Sequence, residues 1–530
     1  MSKVTLLAIN AKYVHSSLAV WLLSAGISQN SRLSHDVSIV EATIKQNNNE
    51  IIEKIVENKP QVVGISTYIW NVGKLQQLMV SLKEALPAVV IVLGGPEASY
   101  NAEHWIGQGA DHVICGEGEE SLPMLLDALE EKIAAPRIIK ASLLNQRPIN
   151  PYNDEYMNAL GARIAYIETS RGCPFRCAFC LSGESSVKYF PLELAKEQLD
   201  KLSKSGTKTI KFVDRTFNCD GKRAYELFEY VIAMDTDCCF HFEVAADLFD
   251  EESLKLLGTA IAGRIQLEAG LQSYFEAALL ASSRKTDLIK AEKNIRKLLE
   301  YGNIHIHVDL IAGLPYEDFN EFQNSFNRAY ALGAHTLQLG FLKLLHGSVL
   351  REQAEDLGIS FIKEPPYEIV SSPWLSSEEL SMLKIAENAL QRTYNKGRFL
   401  KTLSYVLEVT RLSPFELYRI LGEYVQNHGM PLDMYAGKIY DCLKALPAVK
   451  PDLLKDSMIF DWLGMVKGRN MPAFLKIRDK RHKEAVQLAT SRLGRNIHKD
   501  EAAVLISGDM IYVDATLRNP VTGLYEIGVI

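Results

Sequence analysis

Residues 1–135 show short apolar runs that alternate with amphipathic stretches. Runs such as VVGIST and AVVIVLGG are almost wholly apolar, whereas NNNEIIEKIVENK places its apolar residues on one helical face. Strands that are apolar on both faces, separated by helices, are typical of a parallel sheet covered by helices on both sides. The pattern therefore predicts an α/β fold with a doubly wound parallel sheet over residues 1–135.

Polar and glycine-rich residues follow four of these predicted strands. Sheets of this kind bind ligands at the carboxyl ends of their strands. Each group alone is ordinary turn chemistry, but four groups on one predicted edge favour a cofactor crevice. The candidate residues are Asn10 and Tyr13; Ser66 and Thr67; Gly94, Gly95, Pro96 and Glu97; and Gly116, Glu117, Gly118 and Glu119.

A second alternation of strands and helices begins near residue 161. Residues 136–160 lose the pattern and contain three prolines, so we expect a linker there. Six strand–helix units then occupy residues 161–365, with apolar runs such as ARIAYIET and IHIHVDLIAG. This number suits a partial (β/α)6 barrel, because a closed barrel of eight units needs about 250 residues.

Residues 366–530 predict a mainly helical domain that ends in a short β tail. Amphipathic helices such as SSEELSMLKIAENALQRTY come first, and the final residues alternate in the manner of strands. We find no cluster of catalytic residue types in this region. Its expected role is packing or covering of a substrate.

The charge balance of the chain bears on which partners it can bind. The chain of 530 residues carries 58 basic and 65 acidic side chains, for a net charge of −7, which argues against a broad nucleic-acid-binding surface. A membrane span would need about 18 uninterrupted apolar residues, and a secretory signal would need an apolar segment near the N-terminus. The sequence shows neither, so we expect a cytoplasmic protein without a membrane span.

Three of the eight cysteines lie in the stretch RGCPFRCAFC, directly after the first predicted barrel strand. The spacing of Cys173, Cys177 and Cys180 is C-x3-C-x2-C. Eight cysteines in such a chain are too few for a disulfide scaffold, and crowded cysteines indicate metal ligation in a reducing compartment. A zinc site would want a fourth cysteine or histidine close by. Three thiolates can instead hold three irons of a cubane and leave the fourth iron open to an outside ligand.

This cysteine motif resembles that of the radical S-adenosylmethionine enzymes, with the aromatic Phe179 before the last cysteine. The resemblance implies a 4Fe–4S cluster on the three cysteines, chelated at its open iron by S-adenosylmethionine. It also implies reductive cleavage of S-adenosylmethionine to a 5′-deoxyadenosyl radical, with electrons from an external low-potential donor.

Two further stretches resemble motifs of the same family. QLEAGLQS is similar to the fourth-strand motif, which implies that Glu268, Gln272 and Ser273 lie near the ribose or methionine part of S-adenosylmethionine. DLIAGLPYED is similar to the fifth-strand motif, which implies that Leu314 contacts adenine. Glu268 could instead be a solvated or salt-bridged strand-end acid, and Asp309 could be a structural acid.

One departure from the family concerns the second barrel strand. A glycine- and glutamate-rich motif often follows that strand, and here VDRT stands in its place. Asp214, Arg215 or Thr216 could substitute for it.

A doubly wound domain directly before such a barrel resembles the cobalamin-binding subclass of radical S-adenosylmethionine enzymes. Cobalamin domains that bind cobalt through a protein histidine carry D-x-H-x-x-G after the first strand. Here His15 is present, but the aspartate and the glycine of that pattern are absent. We therefore expect a capping or structural role for His15 and cobalamin without a protein histidine on cobalt. The methylthiotransferases also have an N-terminal α/β domain, but they place three cysteines in it, where this chain has only Cys115.

The resemblance implies a cobalamin-dependent radical enzyme that transfers a methyl group to an unactivated carbon. Two alternatives stay open: cobalamin-dependent ring formation or rearrangement without methyl transfer, and a non-catalytic iron–sulfur protein that senses redox state. The acidic balance favours a small molecule or a peptide as substrate over bulk nucleic acid.

Overall fold

A computed structural model of the chain describes residues 2–141, 148–183, 186–425, 429–465 and 471–530. The chain forms two units, each built from several segments. The first comprises Met1–Val244, Ser282–Arg284 and Leu342–Val370, and the second comprises Ala245–Ala281, Lys285–Phe341 and Ser371–Ile530. Residues 142–147 of the predicted linker lie outside the described residues.

The first unit begins with a six-stranded sheet in the order β2-β1-β3-β4-β5-β6, in which every pairing is parallel. The strands are β1 Lys3–Asn10, β2 Asp36–Thr43, β3 Val62–Ser66, β4 Val90–Gly94, β5 His112–Cys115 and β6 Ile138–Lys140. The helices are α1 Leu18–Asn30, α2 Asn48–Glu57, α3 Val72–Ala85, α4 Pro96–Ser99, α5 Ala102–Gly107 and α6 Gly118–Glu130.

The apolar runs form the core of this sheet as the pattern predicts. Leu7, Val63, Leu93 and Val113 are fully buried in neighbouring strands, because helices cover both faces of a parallel sheet. The order reverses beside β1, so the carboxyl ends of β1 and β3 flank a switch point of the kind where such sheets bind ligands. β6 forms within the residues predicted as a linker.

The first unit continues with three barrel strands, of which β7 pairs with β10 and β10 pairs with β11, all parallel. A short antiparallel pair, β8–β9, brackets the cysteine loop. The elements are α7 Asp154–Leu160, β7 Ala165–Ile167, β8 Ser170–Arg171, β9 Lys188–Tyr189, α8 Leu192–Ser203, β10 Thr209–Phe212, α9 Gly221–Ala233 and β11 Cys239–Val244, with a 3₁₀ turn at Phe217–Cys219.

The second unit carries three more parallel strands, in the order β12-β13-β14. Asp287 and Asp318 cap the helices before and after β13, and Gly302 ends the first of them with a left-handed φ of 69°. The elements are α10 Glu251–Gly258, β12 Ile265–Gln272, α11 Glu276–Ala281, α12 Leu288–Tyr301, β13 His305–Ala312, α13 Phe319–Tyr330 and β14 Thr336–Phe341, with a 3₁₀ turn at Ala246–Leu248.

After β14 the chain returns to the first unit for residues 342–370, which we call the return segment. It contains α14 Val349–Glu352, β15 Ser360–Phe361 and the start of β16 Ile369–Ser371. The hydrogen bond from the backbone N–H of Leu350 to the carbonyl of Ala178 joins it to the cysteine loop, with an N···O distance of 2.9 Å.

The rest of the second unit is helical and ends in a three-stranded antiparallel sheet, β17-β18-β19. The elements are α15 Ser377–Arg392, α16 Leu400–Thr410, α17 Pro414–Tyr424, α18 Leu432–Leu443, α19 Pro451–Met465, α20 His482–Leu493, β17 Ala502–Val504, β18 Met510–Arg518 and β19 Tyr525–Val529, with 3₁₀ turns at Tyr394–Lys396, Ala473–Leu475 and Lys499–Glu501. Among the described helices, none combines the length and apolar character that a bilayer crossing requires.

These elements confirm the predicted fold class. The doubly wound sheet, the six parallel barrel strands and the mainly helical C-terminal part with its β tail all form in the predicted order, although β6 and α7 lie within the predicted linker. The exact domain boundaries, at residues 135, 160 and 365, stay predictions.

Candidate functional site

The cysteine loop leaves β8 at Arg171 and turns at Gly172, whose φ of 88° suits glycine. A side chain at Gly183 could not be accommodated, because its Cβ would lie 2.5 Å from the carbonyl oxygen of Phe175. Two hydrogen bonds fix the middle of the loop at Ala178: its N–H donates to the carbonyl of Ser282, and its carbonyl accepts from Leu350. The backbone that carries the three thiols is therefore held from both sides.

The three thiols differ in exposure but interact with one another. Cys177 is buried, Cys173 is half-buried and Cys180 is exposed. Burial raises the pKa of Cys177; Arg284 opposes this, and the neighbouring Cys180 and Cys173 add to it. The Arg284 guanidinium donates to the Cys177 sulfur across 3.6 Å, and the Ser182 N–H donates to the Cys180 sulfur across 3.4 Å.

This donor set fits a 4Fe–4S cluster. Three thiols on one short loop supply the ligands, and N–H groups directed at the sulfurs are the kind of contact that stabilises cluster thiolates and tunes the cluster potential. Cys177 is shielded from water, whereas Cys180 lies at the surface.

The residues that replace the second-strand motif have separate roles. Asp214 is buried and accepts hydrogen bonds from the N–H and hydroxyl of Thr169 and from the hydroxyl of Ser170, so it fixes the chain before the cysteine loop. The hydroxyl of Thr216 lies 3.5 Å from the Cys173 sulfur. Of the three candidates, Thr216 is the one that the structure brings to a cluster cysteine, and Arg215 is exposed.

The predicted cobalamin edge is formed by the ends of β1, β3, β4 and β5. Thr67 is fully buried, and its hydroxyl donates to the carbonyl of Gly94 and accepts from the N–H of Ala98. Gly95 has a φ of 100°, and a Cβ there would lie 2.6 Å from the carbonyl oxygen of Thr67. These residues shape a close backbone approach between two strand ends.

Several other predicted cobalamin residues have their side chains engaged within the first unit. Asn10 donates to the carboxylate of Glu41 and to a carbonyl, and Ser66 donates to a backbone carbonyl at 3.4 Å. The buried carboxyl of Glu97 accepts from the hydroxyl of Tyr367 at 2.5 Å; burial raises the pKa of Glu97, while this hydrogen bond opposes the rise. Tyr13, by contrast, is 80% exposed.

Glu117 and Glu119, which follow β5, form ion pairs with Arg171. The Arg171 guanidinium is 2.8 Å from Glu117 and 2.8 Å from Glu168, and it also contacts Glu119. Burial alone would lower the pKa of Arg171, but Glu168 and Glu119 raise it well above its ordinary value. Gly116 precedes these acids and Gly118 lies between them, and both contribute backbone only; the Gly116 N–H donates to the hydroxyl of Ser99.

His15 contacts the start of the barrel, and its predicted structural role stays a prediction. Its loop pairs with the start of the first barrel strand through the N–H of Ile164, and its Nδ1 lies 2.6 Å from the hydroxyl of Tyr166. Arg163 and Glu41 form an ion pair beside it at 2.8 Å. The loop that would carry a cobalt-binding histidine here joins the two domains.

Two aromatic residues at this edge were missed by the sequence reasoning. Tyr68 and Trp70 stack with ring centroids 4.4 Å apart and an interplanar angle of 6°. Trp70 is 44% exposed, and its indole N–H donates to the carbonyl of Ile9. The signal was present in the sequence as YIWN, directly after the end of β3, because large aromatics are unusual in an exposed turn.

In the second unit, Glu268, His307 and Asp309 face one another across β12 and β13. Glu268 and His307 are register partners, and Asp309 lies two residues further on the same face. His307 is 2.9 Å from Asp309 and 3.9 Å from Glu268. One carboxylate oxygen or imidazole nitrogen of each residue lies within 4.8 Å of those of the other two. Glu268 is therefore part of a group of ionisable side chains on β12 and β13.

The other predicted S-adenosylmethionine residues lie at the ends of the same strands. Gln272 has a left-handed φ of 71° beside a register shift in β12, and its side-chain oxygen is buried without a hydrogen-bond partner. Backbone strain of this kind clusters at ligand sites. Ser273 is fully buried and donates to Glu317 at 2.6 Å. Leu314 is also fully buried, after the turn at Gly313, and Phe179 is half-buried on the cysteine loop.

Three family models match successive parts of the chain. A B12 binding domain matches residues 4–126, the radical SAM superfamily matches residues 167–329, and a protein of unknown function (DUF4080) matches residues 355–502. The chain is thus a radical SAM protein with an N-terminal B12-binding domain and a C-terminal DUF4080 domain. This domain combination confirms the resemblance and the cofactors predicted from the sequence: a 4Fe–4S cluster, S-adenosylmethionine and cobalamin.

The curated relatives include two methyltransferases, one of them named as cobalamin-dependent and radical SAM, and a cyclase. The uncharacterized methyltransferase PH0819 of Pyrococcus horikoshii is 26% identical over 61% of this chain and 76% of its own. The cobalamin-dependent radical SAM methyltransferase TokK of Streptomyces tokunonensis is 23% identical over 75% of this chain and 63% of its own. The anaerobic magnesium-protoporphyrin IX monomethyl ester cyclase of Cereibacter sphaeroides is 22% identical over 53% and 51%. The chain therefore spans about half to three quarters of the length of these relatives.

Two solved structures share the fold. The cobalamin-dependent S-adenosylmethionine radical enzyme OxsB matches 87% of this chain and 78% of its own with a TM-score of 0.60 and 14% identity. TsrM of Kitasatospora setae, with cobalamin and a 4Fe–4S cluster bound, matches 69% of this chain and 79% of its own with a TM-score of 0.57 and 18% identity. At these identities the likeness shows a shared fold. The domain combination and the named relatives indicate an enzyme of the cobalamin-dependent radical SAM class.

Proposed function

We propose that this enzyme transfers a methyl group to an unactivated carbon of a small molecule or a peptide. The observation that carries the proposal is the cysteine loop of the first unit, whose three thiols lie on a fixed backbone in the same unit as the B12-binding sheet. When bound, the cluster and cobalamin supply reductive cleavage of S-adenosylmethionine to a 5′-deoxyadenosyl radical and delivery of the methyl group.

The chain's own residues then bind, orient and shield. We propose that Cys173, Cys177 and Cys180 hold the cluster, while Arg284 and Ser182 donate hydrogen bonds to its thiolates. Burial of Cys177 excludes water from one side of the site. These contacts would stabilise the thiolates and adjust the potential of a bound cluster.

We further propose that Phe179, on the cysteine loop of the first unit, is an S-adenosylmethionine-binding residue. For the second unit we propose that Glu268, Gln272, Ser273 and Leu314 bind S-adenosylmethionine. The acidic group around Glu268 supports this, because a carboxylate at a strand end accepts hydrogen bonds from ribose hydroxyls. The left-handed Gln272 supports it as well. Ser273 and Leu314 contribute through the backbone they fix, since both side chains are buried.

For cobalamin, the proposed edge offers mainly backbone and aromatic surface. Gly94, Gly95 and Gly116 lie at the ends of β4 and β5 and would meet the ring through their backbone, and Trp70, after the end of β3, is 44% exposed. The remaining candidates at this edge, predicted from the sequence, are Asn10, Tyr13, Ser66, Thr67, Pro96, Glu97, Glu117, Gly118 and Glu119.

The test is reconstitution without oxygen, with iron, sulfide and hydroxocobalamin, followed by titanium(III) citrate and S-adenosylmethionine. We expect about four irons and one cobalamin per chain, and formation of 5′-deoxyadenosine. Cys177→Ala should abolish that product, whereas Cys442→Ala, which removes another buried thiol, should preserve it. Continued 5′-deoxyadenosine formation by Cys177→Ala would refute the cluster assignment.

Ring formation without methyl transfer is a second candidate, because the cyclase of Cereibacter sphaeroides is among the relatives. The two functions differ in what becomes of S-adenosylmethionine. Methyl transfer yields S-adenosylhomocysteine together with 5′-deoxyadenosine, whereas radical ring formation yields 5′-deoxyadenosine alone. S-adenosylmethionine labelled in its methyl group distinguishes them, since only a methyltransferase moves the label into the product.

A further inference from the structure

The B12-binding domain holds the cysteine loop at both of its ends. Arg171 lies two residues before Cys173, and Leu181 directly follows Cys180. The first end is bound through ion pairs to Glu117 and Glu119, and the second through a hydrogen bond from the hydroxyl of Tyr100. All of these residues belong to the first unit.

Arg171 joins the loop after β5 to the strand before the cysteines. Its guanidinium is only 17% exposed, and it contacts three carboxylates, two from the B12-binding domain and Glu168 from its own segment. A planar guanidinium can satisfy several carboxylates at once, which an ammonium cannot do. Because Glu117 and Glu119 begin α6, any movement of that edge is passed to the backbone at Arg171.

Tyr100 joins the loop after β4 to the far end of the cysteine loop. Its hydroxyl donates to the carbonyl of Leu181 at 3.2 Å. Its ring packs so closely on Gly347 of the return segment that a Cβ there would lie 2.0 Å from it. Asn101 contacts His346 at 3.4 Å, and Tyr367 donates to Glu97. The return segment thus clamps the β4 loop while Leu350 holds Ala178 of the cysteine loop.

We propose that Arg171 and Tyr100 are positioning residues that couple cobalamin binding to cluster binding. The inference rests on the proposed function, in that it takes the strand ends of the B12-binding sheet as the cobalamin site. Each cofactor favours one position of the loop that it touches, and Arg171 and Tyr100 join the two loops, so the position that one cofactor favours also suits the other. Coupling of this kind is reciprocal, with each cofactor raising the affinity for the other by the same factor.

The experiment measures the dissociation constant of hydroxocobalamin by absorbance titration, with and without the reconstituted cluster. For the wild-type protein we expect the cluster to tighten cobalamin binding by roughly tenfold, within the usual range for coupled sites. Arg171→Gln and Tyr100→Phe should reduce this factor towards one. Arg171→Lys should restore part of it, because the charge remains but the planar fork is lost.

The matched control is Arg32→Gln, which removes a carboxylate-paired arginine that is 67% exposed on the same domain. It should retain the full factor. Tyr100→Phe removes a single hydroxyl, so it tests the proposal even if Arg171→Gln does not fold. The coupling is overturned if the wild type binds cobalamin equally well with and without the cluster. It is also overturned if the ratio of these affinities is unchanged in Tyr100→Phe and in those Arg171 variants that fold. A wild type that binds no cobalamin would instead overturn the proposed function, and the coupling with it.

Discussion

The buried carboxyl of Glu317 predicts a pH dependence in the strand end that carries Gln272 and Ser273. Glu317 is fully buried and accepts hydrogen bonds from the hydroxyls of Ser273 at 2.6 Å and Ser325 at 2.8 Å. Burial raises its pKa from 4.5 to about 7, although both hydroxyls oppose the rise. The same hydroxyls accept from the N–H groups of Phe275 and Tyr274, so Glu317 supports the turn after β12.

The direction and size of the effect follow from that raised pKa. Between pH 4.5 and about 7 the folded protein binds this proton more tightly than the unfolded chain does. The stabilisation is therefore complete below pH 4.5, falls as the pH rises through that range, and levels off above about 7. At 1.36 kcal/mol per pH unit, the loss amounts to roughly 3 kcal/mol. Glu317→Gln, which is neutral throughout, should remove this dependence.

Hydrogen exchange measured by mass spectrometry on peptides covering residues 270–278 checks the prediction. Comparing variants at the same pH cancels the intrinsic effect of hydroxide on exchange. We expect wild-type protection in this segment to weaken between pH 5 and pH 8 relative to Glu317→Gln. Glu300→Gln, at a side chain that is 66% exposed on a neighbouring helix, serves as the control and should follow the wild type. Parallel pH profiles for wild type and Glu317→Gln would refute the reasoning.

Three further predictions test other parts of the chain. His15→Ala should change cobalamin affinity by less than about twofold, because His15 contacts Tyr166. Electron paramagnetic resonance of cob(II)alamin in the wild type should show no coupling to a histidine nitrogen. A coupling that is lost in the variant would contradict this prediction. Asp461→Ala should speed amide exchange in α16 and cost about 2–4 kcal/mol, because Asp461 accepts from the N–H groups of Lys401 and Thr402; unchanged exchange would count against it. Gly422→Ala should lower the free energy of unfolding by about 1–3 kcal/mol in thermal melts, because its Cβ would lie 2.3 Å from a carbonyl oxygen. Gly437→Ala is the control, since the nearest atom to its Cβ would lie 3.8 Å away. Equal melting points for the two variants would exclude this explanation.

The sequence was sufficient for the fold because its signals are local. Apolar runs such as VVGIS become strands buried on both faces, and the glycine at 302 ends its helix in the left-handed conformation. The cysteine spacing likewise predicts one loop with three thiols, and the structure places it directly after the first barrel strands. Periodicity and spacing report on residues that are near one another along the chain.

The partners of the site residues could not be predicted, because they are distant in sequence. Glu97 was expected to face a cofactor, but its carboxyl is bound by Tyr367, 270 positions away. Glu119 lies 52 positions from Arg171, with which it pairs. A strand-end acid looks the same in a sequence whether it faces a ligand or an arginine, and only the fold distinguishes the two.

This engagement changes what the cobalamin edge can offer. Glu97 is held by Tyr367, and Glu117 and Glu119 are held by Arg171, so releasing any of them breaks a contact of a largely buried partner, at a cost of about 1–3 kcal/mol for the hydrogen bond of Tyr367. A ligand that needed those carboxylates would have to overcome that cost. A corrin ring needs none of them, because glycine backbone and an exposed indole suit its flat face, and its amide side chains can bond to backbone groups. We infer that Glu117 and Glu119 attach the B12-binding domain to the cysteine loop and that Glu97 attaches it to the return segment, so that the neutral surface beside them is the proposed cofactor surface.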